Sequence, residues 1–171
     1  DAAKGATASL AVTGGVKAES VEIKGGVITA YDGDRIMAVY IGNSKNSNAA
    51  ATALHINWAV TKLIQPALET QYPKSAFKIK QKVGIDASQL MVARTGIRGH
   101  NDLVWVGNAA NNAAKLAGRS TNYPSYISHA VFDRLAKWPK CSRDLNKPMW
   151  TDLGVGEEGF RVYGSSWWSS L

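Results

Sequence analysis

The sequence predicts an α+β domain with helices packed on an antiparallel-rich sheet, and three observations carry that expectation. Apolar runs at 27–31 and 36–41 flank the pair Asp32-Gly33, the signature of a β-hairpin. Ala51, Leu54, Trp58 and Leu63 recur at helical spacing up to Pro66. Further strand-like runs then lead into an alanine-rich helical stretch, so that strands and helices are mixed along the chain.

Taken in order, residues 1–24 are rich in Gly, Ala and Thr and show neither period. The hairpin follows, then a polar loop at 42–48. Ser47 or Asn48 is the candidate N-cap of a core-facing helix of about five turns. Residues 77–85 read as a strand in which Lys78, Lys80 and Lys82 alternate with Ile79, Gln81 and Val83, giving a solvated face or, as the second reading, an anion-binding patch. After a short polar break, 90–94 reads as a second strand ended by Gly96 and Gly99, and 103–106 as a third stopped by Gly107. Asn108 is placed to cap a helix over 109–116, whose small residues allow close packing on the sheet. A short helix is expected at 128–137, between Pro124 and Pro139, and a last strand at 159–163. Helices are expected on one side of the sheet. Trp150, Trp167 and Trp168 are expected to staple the tail to the core.

Composition bounds the function. The 171 residues make one domain, and 45% hydrophobic with 19% charged residues excludes a disordered chain. No apolar run approaches the ~20 residues of a membrane helix, and no leader pattern opens the chain, so a cytoplasmic protein without membrane contact is expected. The single Cys141 forms no internal disulfide and no thiolate metal cluster. Twenty basic against 13 acidic residues give a net charge of +7, which favours polyanionic partners, whether nucleotides, nucleic acid or acidic membrane surfaces, without choosing between them. No RNA-binding signature surrounds the tryptophans, so nucleic acid is not the expected partner. His55, His100 and His129 accompany no Ser or Cys nucleophile motif, and triad chemistry is not expected. His55 falls within the helical apolar pattern and reads as a packing residue.

Chemistry concentrates at the hairpin. Asp32 and Asp34 flank Gly33 and offer hard oxygen donors suited to Mg²⁺ or Mn²⁺, although Asp-Gly is also ordinary turn chemistry. The whole stretch, Gly25-Gly26-Val27-Ile28-Thr29-Ala30-Tyr31-Asp32-Gly33-Asp34-Arg35-Ile36-Met37-Ala38-Val39, resembles the metal-binding hairpin of class III nucleotidyl cyclases. Val83-Gly84-Ile85-Asp86 is similar to the Val-Gly-Ile strand of that family, and residues 102–116 to its transition-state helix. Within the family the likeness is closest to the bacterial Pycsar pyrimidine cyclases, through residues 29–39, 93–99 and 101–107, with the tail 162–167 similar as well.

The resemblance implies a ferredoxin-like sandwich, with a catalytic domain at 1–137 and an aromatic extension at 138–171 packed on it. It implies two divalent ions, Mn²⁺ or Mg²⁺, at Asp34 and Asp1. The implied homodimer is head-to-tail, with Asn111 orienting the ribose and Lys115 binding the α-phosphate across the interface. Lys115 stands where the family usually has arginine, replacing a bidentate grip by a point charge. Ala30 stands where adenylate cyclases read the purine with lysine. Tyr31 beside it either narrows the pocket against a two-ring base or packs in the sheet. Asp102 matches a base-contacting position and either touches the base or faces solvent, and Arg94 and Arg98 either reach the triphosphate or face solvent. The family's opening strand carries its first metal aspartate before a long helix. Here Asp1 precedes a shorter segment. The implied activity is cyclisation of UTP or CTP to the 3′,5′-cyclic nucleotide as an anti-phage signal, read by a separate effector protein. Rival expectations are a catalytically silent nucleotide-binding relative, a purine nucleotide cyclase, or an RNA-binding α+β domain.

Overall fold

In the computed structural model, residues 2–12, 24–33, 35–97, 100–120 and 122–170 are described. Strand β1 (Ala2–Val12) is central, in a segment whose sequence shows no strand period. The expected hairpin is formed by β2 (Gly26–Asp32) and β3 (Arg35–Ile41), and Gly33 turns it with φ +60°, a conformation glycine adopts without a Cβ clash. β4 (Gln81–Ile97), β5 (His100–Val106), β6 (Ser125–Ser128), β7 (Thr151–Val155) and β8 (Arg161–Ser165) complete one sheet in the order β2-β3-β1-β4-β6-β8-β7. β5 pairs with the far half of β4 as a projecting arm. All pairings are antiparallel except β4 with β6.

The first helix starts earlier than its sequence suggests: α1 is Lys45–Trp58 with Ser44 at its N-cap. It does not stop before Pro66. A π-helical turn at Ala59–Ile64 leads into α2 (Gln65–Gln71), placing Pro66 in a first turn where its missing N–H leaves no bond unmade. α1 lies against one sheet face, where Ala38, Tyr40, Leu54, Ile56, Val83, Ile85 and Ile127 form the main core. The buried Tyr40 hydroxyl donates to Thr52 Oγ1 at 2.9 Å, tying β3 to α1, and burial pushes its pKa up to about 12.

Helix α3 (Asn108–Ala117) covers the opposite face, so helices flank the sheet on both sides and not on one. Gly84 is the reason α3 can lie so close. A Cβ there would overlap the Ala113 carbonyl oxygen and stand 2.5 Å from Ala117 N. The expected break within 85–90 is absent because its polar residues bond inward: Asp86 and Ser88 reach the helix side of a continuous strand. Residues 73–80 form no strand. Gln65 holds that segment instead, its Oε1 accepting from Ile79 N at 2.8 Å, and of the three lysines only Lys82 lies in β4.

The helix expected at 128–137 forms only one turn, α4 (His129–Phe132), capped by Ser128 at the end of β6, and a second short helical segment follows at Lys137–Lys140. The last strand is displaced by two residues and has a partner, β7, that carries no clear sequence signal. The tail is stapled mainly by backbone atoms. Asn57 Nδ2 donates to the Ser166 and Trp167 carbonyls at 3.0 Å each, and His55 Nδ1 donates to the Ser169 carbonyl at 2.8 Å. Trp150 is buried and donates Nε1–H to the Pro139 carbonyl, whereas Trp167 and Trp168 remain exposed.

Burial holds the His55 pKa below 6.5, the Ser169 bond opposes the shift, and Lys24 and Arg143 add to it by repulsion. The unfolded chain therefore takes up a proton more readily below about pH 6.5. His55 stabilises the fold above that pH, and the contribution is lost as the pH falls below it. Denaturant titrations between pH 7 and 5 are expected to show a shallower loss of stability in His55→Gln than in the parent. Equal slopes would remove His55 from the pH response.

Candidate active site

α3 carries the best-defined part of the site. Gly107 stands at its N-cap and Asn108 is its first residue, so the expected cap is displaced by one position. The capping bond comes from β4: Ala109 N donates to Ser88 Oγ at 3.0 Å. The helix then divides its polar residues by face. Asn112 Nδ2 donates to Asp86 Oδ2 at 2.8 Å, and Ser128 Oγ donates to the other oxygen of this carboxylate, which is 5% exposed. A buried carboxylate with both oxygens satisfied is a fixed anchor between strand, helix and the α4 cap. Asn111 and Lys115, four residues apart, are both exposed and share one face of the helix.

Lys115 lines a cavity of about 510 Å³ together with Arg119, Ser120, Glu157 and Glu158. Arg119 is committed to the Glu158 carboxylate, its Nη1 lying 2.8 and 2.7 Å from the two oxygens. Lys115 is in no ion pair among the described residues, and its ammonium is available to a ligand anion.

Tyr31 and Ala30 lie on β2, the edge strand, and both are exposed. Tyr31, at 68%, is not packed into the sheet. Three strand spacings, about 14 Å, separate β2 from the β4 strand beneath α3. The described contacts of one chain thus do not bring Tyr31 to Asn111. Asp102 lies on β5 opposite Thr95, in the projecting arm. Asp34, Asp1 and Arg98 lie outside the described residues. The side chains of Arg94 and Asp102 do as well.

The donor chemistry of the hairpin fits Mg²⁺ or Mn²⁺, since its sequence offers carboxylates and no thiolate or imidazole. Among the described residues no three His, Cys, Asp or Glu side chains gather as a metal cluster. Asp86, Ser88 and Asn112 are the site-building residues that sequence reasoning missed. Their one signal is a lone carboxylate directly after the apolar Val83-Gly84-Ile85.

No protein-family profile matches the chain. Among curated proteins it is 44% identical over 151 residues to a uridylate cyclase of Xanthomonas perforans and 48% identical over 144 residues to one of Burkholderia cepacia. These matches cover 88% and 84% of this chain but 64% and 61% of those proteins, so the chain spans somewhat over three-fifths of their length. Among solved structures, a bacterial light-regulated adenylyl cyclase aligns over 96% of this chain and 91% of its own, with TM-score 0.74 at 16% identity. A guanylyl cyclase aligns over 99% and 94%, with TM-score 0.75 at 13% identity. The strand order and these likenesses agree: the chain has the fold of the class III nucleotide cyclase domains and, over most of its own length, is similar in sequence to uridylate cyclases.

Proposed function

We propose that the protein is a metal-dependent pyrimidine nucleotidyl cyclase, converting UTP, or CTP as the second choice, to the 3′,5′-cyclic monophosphate and pyrophosphate. The observation that carries this reading is the division of α3: Asn112 is locked to Asp86, while Asn111 and Lys115 are exposed and make no hydrogen bond or ion pair among the described residues. The naming of the relatives as uridylate cyclases favours uridine.

In the reaction the ribose 3′-oxygen attacks the α-phosphorus as the bond to the β-phosphate oxygen breaks. The hydroxyl proton passes to solvent and pyrophosphate leaves. Asn111 orients the ribose by hydrogen bonding, and Lys115 offsets charge on the α-phosphate oxygens, so both act by position and field. Asp34, with Asp1 as the second carboxylate, would hold the divalent ions, Mn²⁺ or Mg²⁺. The chemistry such ions supply when bound is a lowered pKa of the attacking hydroxyl and neutralisation of the triphosphate. Tyr31 and Ala30 border the base, with Tyr31 disfavouring a two-ring purine, Asp102 accepts from the base edge, and Arg98 reaches the triphosphate. Two copies pair head to tail, so that the hairpin of one meets α3 of the other. The cyclic product would serve as an anti-phage signal read by a separate effector protein.

Incubation with each of the four ribonucleoside triphosphates and Mn²⁺ tests the reaction, with pyrophosphate released from UTP as the expected result. Binding without turnover would point instead to a silent regulatory relative. Asn111→Ala and Lys115→Ala are each expected to lower kcat by about 10²-fold or more without lowering Tm. Mixing inactive Asn111→Ala with inactive Asp34→Asn should restore about a quarter of the parental activity, since a mixed dimer keeps one intact site. Failure to complement, with dimers re-formed, would overturn the shared site.

A further inference from the structure

On the α1 side of the sheet, remote from Asn111 and Lys115, the tail closes over a second cavity of about 770 Å³. Its walls include the rings of Trp138, Trp167 and Trp168. Two cations reach it as well, and both rest on one ring: Arg143 Cζ lies 4.2 Å and Lys24 Nζ 5.7 Å from the Trp138 centroid. Among the described residues neither cation is paired with a carboxylate, and Asp144 is the one acidic residue in the wall.

His55 completes the set. It is 2% exposed, and because Nδ1 donates to the Ser169 carbonyl, the neutral ring keeps its lone pair on Nε2. That atom is buried without a partner among the described residues. A buried acceptor left unmade is costly, and since Nε2 has almost no accessible surface, a ligand donor would satisfy it only with a side-chain shift in the cavity wall. Flat aromatic walls favour a planar ring, the empty acceptor favours a ring bearing N–H or O–H, and the two unpaired cations favour an attached anion.

We propose that this cavity is a second ligand site, taking a small molecule that joins a planar, hydrogen-bonding heteroaromatic ring to an anionic group, the chemistry of a nucleoside monophosphate. The site is independent of the cyclase reaction. It draws on no residue of the hairpin or of α3, and it holds whether or not the protein turns over UTP.

The test is calorimetric titration of the protein with AMP, GMP, CMP and UMP in metal-free buffer, with uridine and inorganic phosphate as partial probes. At least one monophosphate should bind with one site per chain and alter tryptophan fluorescence, and each partial probe should bind more weakly. Arg143→Ala, a change at the cavity rim, is expected to weaken that binding by about tenfold, whereas Lys115→Ala should leave it unchanged. The proposal is overturned if none of the four binds at millimolar concentration. It is equally overturned if Arg143→Ala binds as tightly as the parent, or if binding is lost in Lys115→Ala, which would place the ligand against α3.

Discussion

Gly84→Val is expected to destabilise the protein by about 3 kcal/mol and to abolish whatever reaction α3 supports. The added Cβ has no room. It would overlap the Ala113 carbonyl oxygen, with Ala117 N at 2.5 Å and Leu116 Cβ at 2.8 Å, and two of those three atoms belong to backbone that no rotamer change can move. α3 must lift from β4, which pulls Asn112 from Asp86 and carries Asn111 and Lys115 out of register with any ligand. Chemical denaturation measures the first effect and nucleotide turnover the second. Gly118→Ala is the matched control. Its new Cβ would meet the Lys115 and Ala114 carbonyl oxygens at 3.4 and 3.5 Å, an ordinary contact, and stability should change by less than about 1 kcal/mol. A Gly84→Val protein as stable as its parent would show that α3 does not depend on this close approach.

Asp34→Asn is expected to lower turnover by about 10³-fold or more while leaving the melting temperature unchanged. Asparagine keeps the size of the side chain and its capacity for hydrogen bonds in a turn, so the hairpin should persist. What it removes is the negative charge by which a carboxylate holds a divalent cation. The charge and not the shape is therefore under test, and raising Mn²⁺ should recover part of the loss if the ion binds more weakly. Undiminished turnover in this variant would remove Asp34 from the metal site.

The legible parts of the molecule share one property: their signals are local. The β2–β3 hairpin follows from an Asp-Gly turn between two apolar runs, and its strand ends were recognisable to within a residue or so. The exposed pair Asn111 and Lys115 follows from helical spacing within ten residues. The parts that were not legible depend on partners far along the chain. Asp86 and Ser88 read as a polar break because their meaning lies in Asn112 and Ser128, and in the first turn of α3. Pro66 reads as a helix stop because the π-helical turn that accommodates it is not encoded by spacing. Likewise the tail reads as an aromatic staple, while the bonds that hold it run from Asn57 and His55 to backbone carbonyls more than a hundred residues away.

By itself the sequence determined the class of fold, the hairpin and the identity of the side chains available for chemistry, because turn chemistry and hydrophobic period act over a few residues. Tertiary structure alone decided which of those side chains are free. Asn111 and Asn112 are adjacent and chemically identical, yet packing of α3 over Gly84 turns one onto a buried carboxylate and the other outward. The helix phase against the sheet is set by steric fit at one glycine, a contact between residues some thirty positions apart that no local pattern records.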